Sequence, residues 1–389
     1  MDNAVSDTLP RIALQQPPWP DQALVRRVRT ELASRPGLVT AAEVRRLREL
    51  LAVVAAGEAH VVQAGDCAED FAECEPGYVA RKAGLLDLLA GTVKMATRLP
   101  VVRIGRIAGQ FAKPRSSPVE VVGDLELPVY RGHMVNTPEP DPHGRVPDPT
   151  RLLLGYRAAH EATRLLGWGG GDRHLAEPPV WTSHEALLLD YEQPMLRPDR
   201  AGEVYLSSTH LPWIGERTRQ VDGAHVDLLA GVSNPVACKV GPTTATDELR
   251  TLVERLDPHR EPGRLILISR MGADLVADRL PALVAAVRTA GHPVIWLCDP
   301  MHGNTARTPE GLKTRYVETV VAEITRFQAA VRGAGGVAGG LHLETTPDDV
   351  TECAPDPAHA DHVADKYTSF CDPRLNPVQA ITAVAAWSA

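Results

Sequence analysis

The chain has 389 residues, 44% of them hydrophobic, and a formal net charge of −8. That length is enough for one large core or two modest ones, and the acidic balance argues against general nucleic-acid affinity, which needs an excess of Lys and Arg facing the phosphates. No run of about eighteen apolar residues is present to span a membrane, and no basic stretch followed by an apolar one opens the chain, so a cytoplasmic location is expected.

In chain order, residues 1–56 read as a Pro-rich arm (Pro17, Pro18, Pro20) followed by two helices, Asp21 to Ala33 and Thr40 to Ala56. Thr40 is the N-cap of the second, with Glu43 three residues later. The arginines Arg26, Arg27, Arg29 and Arg45, Arg46, Arg48 alternate with Leu and Val at helical spacing and read as solvated helix faces. From His60 onward, short apolar runs rich in β-branched residues alternate with long amphipathic patterns, the signature of βα repeats around a parallel sheet. Eight strands are predicted: His60 to Gly65, Val101 to Ala108, Val180 to Thr182, Val204 to Ser208, Val236 to Val240, Leu265 to Ser269, Val294 to Cys298 and Leu341 to Glu344. Helices such as Asp247 to Leu256, Leu280 to Ala290 and Tyr316 to Gly333 lie between them, with turns at Pro262-Gly263 and Gly291-His292-Pro293. Pro281 reads as a first-turn residue of its helix, where a missing N–H costs nothing.

The expected fold is therefore α/β: a (β/α)8 TIM barrel over residues 57–389 behind an N-terminal helical extension of residues 1–56. The competing doubly wound sheet would need a glycine-rich phosphate loop after an early strand, and neither G-x-G-x-x-G nor G-x-x-x-x-G-K-[ST] occurs. The cluster Gly167, Gly169, Gly170 and Gly171, interrupted by Trp168, has no following Lys-Ser/Thr and reads as a flexible loop. The six cysteines Cys67, Cys74, Cys238, Cys298, Cys353 and Cys371 lie far apart in a chain too long to need a disulfide framework, so reduced thiols are expected.

Catalytic groups of such a barrel sit where strands end and loops begin at the C-terminal face. Polar residues fall there repeatedly. Gly65-Asp66-Cys67 follows the first strand, and Arg103, Arg106 and Lys113-Pro114-Arg115-Ser116 accompany the second. Glu216, Arg217 and Arg219 lie beyond the fourth, Lys239 on the fifth, Arg270 after the sixth, Asp299-Pro300-Met301-His302 after the seventh and Glu344 at the end of the eighth. Any one of these cations alone reads as the partner of a carboxylate. Jointly they repel one another unless an anion is present, and Arg offers bidentate hydrogen bonds suited to phosphate and carboxylate. A polyanionic, phosphorylated substrate is expected. Cys67, His302, Glu344 and Asp372 supply a thiolate, an imidazole and two carboxylates, a set suited to Mn2+, Co2+, Fe2+ or Zn2+. Spacing alone argues little for a metal, because no C-x-x-C or H-x-x-x-H pattern puts two ligands on one element, and each residue by itself reads as structural.

Longer stretches carry more information: Gln63-Ala64-Gly65-Asp66-Cys67-Ala68-Glu69, Arg106-Ile107-Ala108-Gly109-Gln110-Phe111-Ala112-Lys113-Pro114-Arg115-Ser116 and Trp213-Ile214-Gly215-Glu216-Arg217-Thr218-Arg219. Lys239-Val240-Gly241-Pro242, Ser269-Arg270-Met271-Gly272, Cys298-Asp299-Pro300-Met301-His302-Gly303-Asn304-Thr305 and Cys371-Asp372-Pro373-Arg374-Leu375-Asn376 follow. From about residue 60 to the C-terminus the chain resembles the type II 3-deoxy-D-arabino-heptulosonate 7-phosphate (DAHP) synthases. The resemblance implies a barrel that condenses phosphoenolpyruvate with erythrose 4-phosphate, the entry step of the shikimate pathway, with a divalent metal, Mn2+ or Co2+ first. It implies metal ligation by Cys67, His302, Glu344 and Asp372, phosphoenolpyruvate contacts from Arg106, Glu216, Arg217, Lys239 and Arg270, and a sugar-phosphate loop of Lys113, Arg115 and Ser116. Lys239, Glu216, Arg217 and His302 become the expected catalytic groups, Glu216 steadying a developing cation or steering water and Lys239 donating a proton or binding phosphate. A homo-oligomer, dimer or tetramer, is also implied.

Three features qualify the resemblance. Arg131-Gly132-His133 stands where the family commonly reads Arg-Gly-Asp, which keeps open another aldehyde, such as an amino or imino erythrose 4-phosphate. The stretch between a predicted helix, Thr150 to Gly167, and Trp181 is short where longer members insert helices for aromatic feedback, so that control is expected to be absent, as in forms serving secondary metabolism. Cys371 adjoins the expected ligand Asp372, and a disulfide to Cys67 would remove a ligand and make the metal-free form oxidation-sensitive. A non-catalytic barrel serving as a partner protein is the remaining alternative; it would need neither the metal set nor the cations.

Overall fold

The computed structural model describes residues 12–168 and 179–388. Eight strands close into one barrel, every pair parallel, each strand beside the next barrel strand in the sequence and the first beside the last. They are β1 His60–Gly65, β2 Val101–Arg106, β3 Trp181–Glu185, β4 Leu211–Ile214, β5 Val236–Val240, β6 Leu265–Ser269, β7 Ile295–Cys298 and β8 Val337–Glu344. The helices are α1 Gln22–Ser34, α2 Ala41–Ala55, α3 Pro76–Thr97, α4 Arg151–Leu165, α5 Ala224–Ala230, α6 Thr246–Leu256, α7 Val276–Thr289, α8 Val317–Gly333 and α9 Pro377–Ala385. Strands such as Val236–Val240 and Leu265–Ser269 are buried along their whole length, which is why they read as continuous β-branched and apolar runs rather than as alternation.

The predicted fourth strand was misplaced. Val204–Leu206 forms an antiparallel hairpin with Leu196–Pro198 outside the barrel, and the fourth barrel strand is Leu211–Ile214. Pro212 lies within that strand and has no N–H for the ladder, so the run carries a signal against a central strand. No long helix fills the third crossover. A single helical turn, Leu189–Glu192, and the hairpin take its place. The helix containing Pro281 begins at Val276, so the proline sits inside it and not in its first turn; no side chain caps that start, which removed the usual signal. Strand β2 stops at Arg106 because Ala108 adopts a left-handed φ of 69°.

Both N-terminal helices begin as expected, α1 with Asp21 capping Leu24 N–H and α2 with a full Thr40/Glu43 capping box. They are packed onto the barrel through Leu32, Leu47, Leu51 and Val54, all fully buried in the one continuous core. Helix α2 lies under the N-terminal ends of the strands: a Cβ on Gly263, two residues before β6, would strike the Arg48 carbonyl, and Gly263 also holds a left-handed φ of 82°. With one mouth covered, the opposite, C-terminal mouth is left for chemistry. Of the glycine cluster, Gly167 turns the chain after α4 with φ 100°; Gly169, Gly170 and Gly171 lie outside the described residues.

Candidate active site

Each strand delivers its polar residue at the C-terminal mouth. Period-2 alternation decides which of them face inward. Arg106 points into the barrel and is 1% exposed, whereas Arg103, three residues earlier, faces outward and pairs with Asp87 of α3; the expectation that Arg103 joins the cationic face is therefore corrected. Arg106 Nη2 donates to Glu344 Oε1 at 3.0 Å, its Nη1 meets His342 Nε2 at 2.6 Å, and its guanidinium lies 5.3 Å from the Trp213 ring. Gly65, at the end of β1, has φ 147° and no space for a Cβ against the Arg106 carbonyl, so the turn into Asp66 and Cys67 stays close to β2.

Cys67 Sγ and carboxylate oxygens of Glu344 and Asp372 lie within 4.8 Å of one another. His302 adds its Nε2, 3.2 Å from Glu344 Oε1, while its Nδ1 lies 2.8 Å from Asp299 Oδ2. A carboxylate on one ring nitrogen with the other nitrogen facing a ligand cluster is the arrangement that orients a metal-binding histidine. Burial and the His302, Lys113, Arg315 and Arg106 charges act in opposite directions on Glu344, and the cations hold its carboxyl well below the usual range. The Cys67 thiol is pushed well up by burial, a hydrogen bond with Cys371 and the Glu344 charge. A divalent cation would supply the positive charge that makes Cys67 a thiolate, so the donor set fits a borderline divalent metal. Cys371 is a free thiol held below its ordinary range by the Cys67 contact and by Lys113 and Arg115, against the opposing effect of burial.

Beside this cluster opens a cavity of about 180 Å³ lined by Arg106, Lys113, Glu216, Arg217, Lys239 and Arg270, together with His302 and Asp372 of the cluster. Lys113 reaches both Glu344 Oε1 at 3.6 Å and Asp372 Oδ2 at 3.8 Å. Lys239 Nζ pairs with Asp299 Oδ2 at 2.9 Å, and burial, with Arg106 nearby, lowers its pKa even against that carboxylate. Arg270 donates to the His302 carbonyl at 3.1 Å. Arg217 is exposed at the rim and holds no carboxylate among the described residues. An anion entering here meets cations whose charges are only partly matched by the protein.

Besides Arg103, the predicted residues Arg115, Ser116, Arg219 and His133 are not brought to this cavity. Arg115 is turned to Glu120, at 3.1 Å, and to Cys371 Sγ. Ser116 is exposed. Arg219 pairs with Glu216 and Glu248 instead of facing an anion. His133 is buried with its ring against Phe71 and Phe370, its Nδ1 on the Tyr130 hydroxyl and its Nε2 3.4 Å from Asp70 Oδ1, away from the cavity lining among the described residues. Other groups escaped sequence reasoning. His342 stands two residues before Glu344 on one strand face, so alternation alone could have found it. Arg315, whose Nη2 lies 2.9 Å from Glu344 Oε2, and Lys313, 2.8 Å from Asp372 Oδ1, come from the segment between β7 and α8, where the two-residue strands Ala306–Arg307 and Lys313–Thr314 form a hairpin too short to show a period.

A parallel barrel with a polyanion cavity at its C-terminal mouth, adjoining thiol, imidazole and carboxylate donors, defines an enzyme for phosphorylated substrates. The profile of the class-II DAHP synthetase family matches residues 5–168 and 164–387. The chain is 58% identical over 391 residues to a probable phospho-2-dehydro-3-deoxyheptonate aldolase of Pseudomonas fluorescens, covering 100% of this chain and 98% of that protein. It is 40% identical to the phospho-2-dehydro-3-deoxyheptonate aldolase of Streptomyces coelicolor, covering 95% of this chain and 93% of that one. The chain belongs to the class-II DAHP synthetase family and has the enzymatic class of a DAHP synthase. A solved aldolase of the same name from Francisella tularensis shares the fold, with a TM-score of 0.52 at 14% identity over 93% of this chain and 95% of that one.

Proposed function

We propose that the chain condenses phosphoenolpyruvate with erythrose 4-phosphate to give DAHP and phosphate, the first step of the shikimate pathway, at the cavity beside Cys67, Glu344 and Asp372. The observation that carries this reading is the contact between two parts: a cationic cavity for two phosphorylated substrates and a donor cluster within 4.8 Å that suits one divalent ion. Cys67, His302, Glu344 and Asp372 would hold that ion, Mn2+ or Co2+ by preference, and bound there it supplies a Lewis acid for the aldehyde oxygen.

The remaining chemistry falls to the protein's own groups. Arg106, Lys239 and Arg270 bind the carboxylate and phosphate of phosphoenolpyruvate. Lys113 and Arg217 face the second anion, with Arg115 and Ser116 farther out on the same loop. Glu216 steadies positive charge developing at C2 of the enol phosphate or steers the water that adds there. Lys239, its pKa lowered by burial, is suited to give a proton to the new alkoxide. No helix of the described residues is long and apolar enough to cross a membrane. The enzyme works in the cytoplasm as a homo-oligomer, a dimer or tetramer. The short link before Trp181 supports an enzyme without aromatic feedback, feeding secondary metabolism, and the Cys67–Cys371 contact supports oxidation sensitivity of its metal-free form.

Purified protein stripped by chelator is expected not to consume phosphoenolpyruvate with erythrose 4-phosphate, and to recover when Mn2+ or Co2+ is returned. Loss of the enol absorbance, together with phosphate release, reads the reaction. Metal shown to be bound without consumption of phosphoenolpyruvate would overturn erythrose 4-phosphate as the partner.

A further inference from the structure

Close to Cys67, and outside the cavity lining, lie four buried charged groups that the reaction above does not use. Asp66, Lys82, Arg374 and Glu352 are 0%, 4%, 5% and 0% exposed. They come from the turn after β1, the middle of α3, the segment before α9 and the loop after β8. Ions buried to this degree each cost several kcal/mol unless closely paired, so their geometry is closely specified. Lys82 Nζ lies 2.7 Å from Asp66 Oδ2 and 2.9 Å from Glu73 Oε2. Arg374 Nη1 donates to the other oxygen, Asp66 Oδ1, at 2.8 Å. The Asp66 carbonyl accepts from Arg106 Nε at 3.1 Å. One residue thus holds a helix on one oxygen, the C-terminal segment on the other and a cavity arginine on its backbone.

Arg374 stands two residues after Asp372, and Glu352 gathers the rest of that loop. Its oxygens accept from Arg374 N at 2.7 Å, Ser369 N at 2.8 Å and Thr368 N at 3.1 Å. Ser369 Oγ in turn donates to the Asp372 carbonyl at 2.6 Å. The Asp372 amide then donates to Cys67 Sγ at 3.3 Å, across 305 residues of sequence. Two expected ligands from opposite ends of the barrel sequence therefore meet on a frame whose shared member is Asp66.

We propose that Asp66 is a positioning residue of the metal site: its carboxylate, held between Lys82 and Arg374, sets the separation of the Cys67 sulfur and the Asp372 carboxylate, so that divalent-ion affinity depends on it. This rests on the metal reading given under Proposed function. Partners behind a metal's ligands govern affinity by fixing ligand orientation, and their loss costs about 10–100-fold. Asp66→Asn tests this with the shape of the side chain retained. Each cation keeps another carboxylate, Lys82 those of Glu69 and Glu73 and Arg374 that of Glu352, so the variant is expected to fold.

The experiment titrates Mn2+ into chelator-treated protein and follows the free-ion electron paramagnetic resonance signal for wild type, Asp66→Asn, Arg374→Lys and Cys67→Ala. Asp66→Asn is expected to raise the Mn2+ Kd by about 10–100-fold, with its deficit in turnover closing as Mn2+ is raised. Arg374→Lys keeps the charge but cannot hold Asp66 and Glu352 together, and is expected to move Kd in the same direction; it carries the test alone should Asp66→Asn fail to fold. Wild-type Kd in both variants, even with lowered melting temperatures, would make the frame structural only and overturn the proposal. Wild-type Kd in Cys67→Ala would instead overturn the metal reading itself.

Discussion

Glu344→Gln is expected to abolish measurable turnover, to weaken Mn2+ binding strongly and to destabilise the fold, all from the loss of one charge. Glu344 is fully buried at the end of β8. Its oxygens lie 3.0 Å from Arg106, 3.2 Å from His302, 3.6 Å from Lys113 and 2.9 Å from Arg315. A neutral amide of the same shape leaves three of these cations facing one another without their common counter-ion, and removing one partner of such a buried set costs about 3–5 kcal/mol. The amide also presents an N–H₂ group where an anionic metal ligand is expected, so Mn2+ affinity and turnover should fall together. Urea unfolding reads the stability and metal titration reads the site; unchanged Mn2+ affinity in a destabilised variant would remove Glu344 from the ligand set.

Lys239→Met is expected to lower kcat by about 10²–10³-fold, the usual cost of deleting a group that stabilises a transition state. Lys239 is buried, 2.9 Å from Asp299 Oδ2 and 3.3 Å from His302 Nδ1, and its ammonium faces the cavity. Lys239→Arg separates the two roles open to it. Arginine keeps the positive charge but does not release a proton in this pH range. Recovered phosphoenolpyruvate binding with kcat still depressed would assign proton donation, and recovery of both would assign anion binding alone. Steady-state kcat and KM for phosphoenolpyruvate distinguish them.

Much of the fold was legible because most barrel strands are fully buried and bounded by turns. Val236–Val240 and Leu265–Ser269 match their predicted bounds, as β-branched runs between turn residues should. The exceptions have identifiable causes. Pro212 disguised the fourth strand, the better-looking Val204–Leu206 went to a hairpin, and a helix start without a side-chain cap placed Pro281 wrongly. At the site, strand-end residues such as Arg106, Lys239 and His302 were legible in long motifs because a parallel barrel sends strand ends to one face. The pairing of Arg103 with Asp87 shows that nearness in sequence was not enough, since alternation puts residues three apart on opposite faces. Lys313 and Arg315 lie in and just after a hairpin with two-residue strands, too short to leave a pattern, so nothing local pointed their side chains at Asp372 and Glu344.

The most direct test of the central claim is anomalous scattering from crystals grown with Mn2+ and phosphoenolpyruvate. The account predicts a single strong peak among Cys67 Sγ, His302 Nε2, Glu344 and Asp372, with phosphoenolpyruvate density against Arg106, Lys239 and Arg270. A fully occupied metal peak elsewhere, with these four side chains still paired only to Lys113, Arg315 and one another, would contradict it.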